Sequence, residues 1–151
     1  MFFLKELPTR QMLEVYQKHF PDMKIDTVAS ALRLLRQASL LLRELDTYFA
    51  KHDLSQLRFL ILVVLDREID REGLMASEVA ARIDVSRPVM TRTLKMLSID
   101  GLLDFDEHDG DGRAKLIRLT SKGRRTLQKV LPGYYREIEQ FMNAPQEESA
   151  P

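Results

Sequence analysis

Apolar residues recur along the first part of the chain at helical spacing. Over Thr9–Phe20, Met12, Val15, Tyr16 and Phe20 lie near one face, and Pro21 ends the segment. Asp26 is placed to cap a long helix reaching about Lys51. Its stripe is Val28, Leu32, Leu35, Leu42, Leu45 and Phe49, broadened by Leu34, Leu41 and Tyr48. A stripe that wide predicts burial on more than one side, more than one small domain can cover, and so brings in a partner chain. Ser55 caps the next segment, which contains the apolar run Phe59–Leu65. Such a run fits a buried strand as well as a helix, and the absence of turn residues from Leu54 to Glu72 favours helix.

A short helix follows over Ser77–Ile83, with Val79, Ala80 and Ile83 inward, and Asp84-Val85 links it to the next. Ser86 caps that helix, and Pro88 sits in its first turn, where a missing N–H costs little. Val89, Leu94 and Leu97 are its expected core positions, and Gly101 suits the left-handed residue at its end. The period then drops to two. Leu103 and Phe105 alternate with Asp104 and Asp106, and Ile117 and Leu119 alternate with Leu116 and Arg118, around an Asp-Gly-Asp-Gly turn. Thr120/Ser121 starts a last helix through about Met142, with Pro132-Gly133 as the point where it would bend. The polar tail from Asn143 holds two prolines and is expected to be disordered.

Composition removes several classes of function. The 151 residues hold no cysteine, which excludes disulfides, Cys-ligated zinc and thiol sensing. The run Phe59–Leu65 is far short of the roughly 20 residues a membrane helix needs. Met1–Leu4 has no basic lead and runs at once into Lys5 and Glu6, so no leader is expected and the cytoplasm is the expected compartment. The three histidines are scattered, and there is no Gly-rich phosphate loop, no Gly-x-Ser-x-Gly and no His-Glu-x-x-His, so no enzyme and no cofactor is expected. Glu107, Asp109, Asp111 and Gly112 imitate the opening of a calcium loop, but its last ligand would be Arg118, which cannot coordinate, so no metal site is expected.

Net charge is zero, with 23 basic and 23 acidic residues, which by itself counts against a nucleic-acid partner. The distribution reverses that reading. Six acids (Asp100, Asp104, Asp106, Glu107, Asp109, Asp111) occupy Asp100–Asp111 without a base, and seven bases (Arg113, Lys115, Arg118, Lys122, Arg124, Arg125, Lys129) occupy Arg113–Lys129 without an acid. A charged partner feels that local potential and not the sum. On the helix after Ser86, moreover, Arg87, Thr91 and Lys95 fall on one stripe with Pro88 and Arg92 alongside. Arg and Lys can reach guanine O6/N7, a Thr methyl can touch a thymine methyl, and a helix start with Ser86 can receive a phosphate. An ordinary solvated face is the other reading of that stripe.

Helix, short helix, tight turn, capped helix and hairpin make the fold class mainly α with a small β-hairpin wing: a winged helix-turn-helix with a helical dimerisation region. The stretches SEVAARIDVSRPVMTRTLKMLSIDGLL and DGRAKLIRLTSKGRRTL resemble the MarR family of bacterial and archaeal transcriptional regulators, over roughly Leu54 to Leu131. The most specific pieces are Asp111-Gly112-Arg113, Leu119-Thr120 and Lys122-Gly123. The resemblance implies a repressor that binds double-stranded DNA at a pseudo-palindromic operator as a homodimer. It places Arg113 in the minor groove, oriented by Asp111, with Lys115 and the bases beyond it available to phosphates. It also implies a small aromatic or anionic effector that releases the DNA, for which Arg33, Arg36, Arg43, Tyr48, His52 and Arg58 are the candidates. Where relatives often carry bases after the recognition helix, this chain carries Asp104 and Asp106. That leaves a second reading open, a winged-helix protein-interaction module without sequence-specific DNA binding.

The expected organisation is N-terminal helices for dimerisation over 1–53, a DNA-binding lobe over 54–120, a C-terminal dimerisation helix over 121–143 and a tail over 144–151. The family's dimer interface usually also uses two helices after the wing, and this chain has room for one. Phe2, Phe3, Leu4, Met12 and Tyr16 are the residues expected to replace that apolar surface.

Overall fold

A computed structural model describes residue 2 and residues 4–107 and 115–144. They form six helices and three strands: α1 (Arg10–His19), α2 (Ile25–Ala50), α3 (Gln56–Asp66), β1 (Leu74–Met75), α4 (Ala76–Ala81), α5 (Arg87–Ile99), β2 (Leu103–Glu107), β3 (Lys115–Leu119) and α6 (Ser121–Asn143). The chain divides into two compact units, one spanning Asp46–Arg136 and one made of the segments before and after it. The division falls inside α2 and α6 and not at the loops near residues 53 and 120.

In the terminal unit, Thr9 Oγ1 caps α1 by accepting from the Met12 N–H at 3.3 Å. Leu13 is the buried residue of α1, whereas Met12, Val15, Tyr16 and Phe20 are exposed, so the apolar face of α1 has no cover among the described residues. Asp26 is not the cap of α2 but lies in its first turn. Its carboxylate pairs with Arg10 at 2.9 Å, and an acid there still complements the positive helix end. Leu34, Leu35 and Leu42 of α2 are exposed too. Across α2, Ser39 Oγ and Arg43 Nη2 both donate to the Phe2 carbonyl, at 3.1 and 3.3 Å.

The unit Asp46–Arg136 is built around α3, in which Phe59, Ile61, Leu62 and Leu65 are buried. The apolar run is therefore helix and not strand. It stops at Asp66, because Arg67–Glu72 is polar apart from one isoleucine and offers no further inward face. Phe49 stacks on Phe59 at 4.6 Å, and Tyr134 closes the cluster against Phe59 at 4.7 Å. Ser55 caps α3 by accepting from the Arg58 N–H.

The wing has a third strand that the sequence reading lacks. β1 pairs with β3 in the register Leu74↔Ile117, and β2 pairs with β3 with Phe105 opposite the same Ile117, giving the order β1-β3-β2. A Cβ on Gly73 would lie 2.6 Å from the Ile117 carbonyl oxygen, so glycine is what lets β1 approach. Thr120 caps α6, with its hydroxyl accepting from the Gly123 N–H at 3.0 Å and donating to the Gly101 carbonyl at 2.6 Å. α6 runs through Pro132 as one helix. Of the tail expected to be disordered, Asn143 ends α6, and the residues after Ala144 lie outside the described ones.

Candidate nucleic-acid interface

α4 and α5 form the helix-turn-helix. Glu78 in the first turn of α4 accepts from the Met75 N–H at 2.8 Å and takes a two-pronged contact from Arg71 at 2.8 and 3.0 Å. The Arg71 guanidinium, and then the Met75 N–H, hold the Glu78 carboxyl below the usual carboxylate range. Arg82 pairs with Glu68 at the other end of α4. Both contacts tie α4 to the loop after α3. The turn closes with the Val85 N–H on the Ile83 carbonyl at 2.9 Å.

α5 starts at Ser86, whose carbonyl accepts from Met90 while its side chain makes no capping bond. Met90, Leu94 and Leu97 face the core, and Val89 is 45% exposed, which corrects the expectation that Val89 is a core position. Positions 90, 94 and 97 fall within about 60° on a helix, and position 89 does not. Opposite that core, Ser86, Arg87, Pro88, Thr91, Arg92 and Lys95 are all exposed. None of Arg87, Arg92 and Lys95 has an acidic partner among the described residues. Beside them a cleft of about 530 Å³ opens between α4 and α5, lined by Ala76, Ala80, Val85, Arg87 and Thr91 among others.

Three of the five bases in the basic block whose side chains are described, Arg118, Lys122 and Arg124, make intramolecular contacts, while Arg125 and Lys129 are exposed. Arg118 pairs with Asp106 on β2 and reaches Glu72 at 3.9 Å. Lys122 Nζ donates to the Asp100 carbonyl at 2.7 Å, and Arg124 reaches Asp66 at 3.4 Å. The acidic strand is thus partly neutralised from within, and Arg118 is not available to a phosphate while so paired. Asp111 and Arg113 lie outside the described residues, and of Lys115 only the backbone, paired opposite Glu107, is described.

The effector candidates separate into two groups. Tyr48, His52 and Arg58 belong to the central unit. The Tyr48 hydroxyl donates to the Val130 carbonyl at 2.8 Å, its ring meets His52 edge-on, and Arg58 binds Asp100. Arg33, Arg36 and Arg43 belong to the terminal unit. Arg33 donates to Ser30 at 3.2 Å, Arg43 shares the Phe2 carbonyl with Ser39, and Arg36 Nη1 is buried with no acceptor among the described residues.

This architecture matches known regulators. The MarR family profile matches residues 52–114. The chain is 28% identical to the HTH-type transcriptional repressor YetL of Bacillus subtilis (strain 168), over 92% of this chain and 83% of that protein. It is 32% identical to the solved Mycobacterium tuberculosis transcriptional regulator MOSR in complex with DNA, with TM-score 0.59, over 76% of this chain and 80% of that one. A MarR-like regulator from Bacillus cereus ATCC 10987 shares the fold with TM-score 0.70 at 20% identity, over 83% and 88% of the two chains. These relatives are regulators of transcription and not enzymes, and the profile match spans α3, the helix-turn-helix and β2, ending before β3. The chain belongs to the MarR family of transcriptional regulators.

Proposed function

We propose that the protein is a repressor that binds a pseudo-palindromic duplex operator as a homodimer and lets go when a small anionic molecule binds. The observation that carries the reading is the exposed start of α5, where Arg87, Arg92 and Lys95 stand without acidic partners among the described residues, beside Thr91 and the open side chain of Ser86. A helix start with free cations fits a major groove, where Arg and Lys reach guanine and Thr reaches a thymine methyl. In this reading Arg113, set by Asp111, enters the minor groove, and Lys115 meets phosphate. The exposed apolar residues Met12, Val15 and Tyr16 on α1 and Leu34, Leu35 and Leu42 on α2 support a second copy packing on the terminal helices.

For the effector, Arg36 is the preferred anchor, with Arg43 one face along α2 and Arg33 nearby. A guanidinium N–H buried without an acceptor is costly unless something supplies one, and an anion would. Tyr48, His52 and Arg58 stay secondary, since Tyr48 and Arg58 already hold fold contacts. The protein is expected to act in a bacterial or archaeal cytoplasm, and no described helix is long and apolar enough to cross a membrane.

Gel shift against duplex DNA over a salt series tests the reading. A reader touching several phosphates loses orders of magnitude in affinity from low to moderate salt. No duplex binding at any salt would replace it with the protein-interaction module, for which exposed Asp104 on β2 speaks.

A further inference from the structure

We propose that Arg58 is a positioning residue that sets the angle at which α5 is presented. It does so by joining the end of α2 to the end of α5. Arg58 sits in the first turn of α3, yet its guanidinium serves two other elements. Nη1 donates to the carbonyl of Asp53 at 3.3 Å, in the turn after α2, and Asp53 has the left-handed φ of 55° that closes this turn. Nη2 pairs with the carboxylate of Asp100, the C-terminal cap of α5. The next residue, Gly101, has φ 72° and turns the chain into β2. Lys122 holds the Asp100 carbonyl and Thr120 holds the Gly101 carbonyl. The end of α5 is therefore gripped from α3 on one side and from the start of α6 on the other.

Two features say that this contact is there for placement and not for stability. An acid at a helix C-terminus opposes the helix dipole, so Asp100 is a poor cap unless a cation stands against it. The pair is also half-exposed, with the two side chains 23% and 40% accessible, a setting in which ion pairs add little to stability. Meanwhile Arg58 Nε is buried without a partner among the described residues, an uncompensated loss. What the arrangement does supply is a fixed pivot. Over the 13 residues of α5, the helix start lies roughly 20 Å from that pivot, so a tilt of about 5° there moves Arg87 by about 1.7 Å. In a dimer the same tilt occurs twice and changes the separation of the two reading helices, which must match the separation of the half-sites.

The inference about DNA rests on the proposed reading of α5, and the inference about the pivot does not, so the experiment has two arms. The full chain is compared with Arg58→Met and with the milder Asp100→Asn. In the first arm, amide exchange is followed at Asp100, Gly101 and Leu102, which bond to the carbonyls of Met96, Ser98 and Leu97. Both variants should raise exchange there by about two- to fivefold and leave Leu62 in α3 unchanged. Equal protection in all three proteins, or loss spread over α3 as well, overturns the pivot. In the second arm, half-site pairs at graded separations are selected from a random duplex pool. The unaltered protein should select one separation, and both variants should accept neighbouring ones. An unchanged separation profile with a uniform drop in affinity overturns the positioning role. If the unaltered protein binds no duplex, the DNA reading fails on its own and the exchange arm still decides whether Arg58 holds α5.

Discussion

Tyr48 and Gly133 interlock: a Cβ on Gly133 would fall 2.1 Å from the Tyr48 hydroxyl oxygen. The phenol lies across α6 with its hydroxyl on the Val130 carbonyl at 2.8 Å, and glycine is what makes room for it. The ring is buried and cannot swing aside. Gly133→Ala should therefore destabilise by about 1–3 kcal/mol through overpacking. Tyr48→Phe, which keeps the ring and loses the hydrogen bond, should cost about 1 kcal/mol. Because the two changes act on one contact, the double variant should fall short of the sum. Urea midpoints of the four proteins check this, and strict additivity would mean that the two residues do not interlock.

Glu78 carries an acid-limb signature. Its carboxyl titrates below the ordinary range because Arg71 and then the Met75 N–H favour the charged form. A depressed carboxyl contributes stability above its unfolded pKa of about 4.3, and that contribution disappears as pH falls through the lower, folded value. Glu78→Gln should thus be less stable than the unaltered chain at pH 7, and the gap should narrow steadily below about pH 4. Chemical denaturation across that range is the measurement. A gap that stays constant down to the lowest pH would show that the Arg71 contact is not what holds α4.

Much of the central unit was legible from the chain. A cap at Ser55, a helix start just after Ser86 and a left-handed glycine at 101 each have a local physical cause, and each appears where that cause puts it. β1 was not legible, because two residues give no period and the pairing partner is more than forty positions away. Gly73 just before it was the one available sign of a close backbone approach. Met90, and not Val89, shares a helix face with Leu94 and Leu97, as the helical repeat alone requires. The Arg58–Asp100 pair comes from tertiary placement and no spacing rule announces it, whereas the Asp106–Arg118 pair follows from the register of the hairpin, in which Arg118 lies opposite Asp104. The same contacts show why the charge blocks overstate the site: Arg118, Lys122 and Arg124 are internally engaged, while the stripe on α5, with Arg125 and Lys129 on α6, is exposed without an acidic partner among the described residues.

That contrast can be measured on DNA. Lys95→Ala removes an unpaired cation from α5 and should lower the salt slope of binding by about 0.9 if it meets a phosphate, or relax one half-site position if it meets a base. Arg118→Ala removes a cation already paired with Asp106 and should leave the slope unchanged, with affinity falling modestly because Asp106 is then bare toward the phosphates. Binding isotherms at four salt concentrations separate the two. Equal slope losses for both variants would place Arg118 on the DNA and break the assignment of its pair.

The exposed face of α1 leads to a prediction about assembly. Leu13 is the residue of α1 that packs inside the chain, while Met12, Val15 and Tyr16 on the same helix are each more than half exposed. Among the described residues a single helix follows the wing, so the second post-wing helix that commonly completes the family's interface has no counterpart there. Apolar surface of this kind is stable in water when a second copy covers it. The full chain should sediment as a dimer, and removal of residues 1–20 should yield monomers that keep the thermal transition of the central unit. Val15→Glu with Tyr16→Glu should do the same without shortening the chain, since both side chains are more than half exposed. A truncated chain that still sediments as a tight dimer would move the interface to Leu34, Leu35 and Leu42 of α2 or to Tyr135 and Met142 of α6, which are also exposed, and would leave α1 without a part in it.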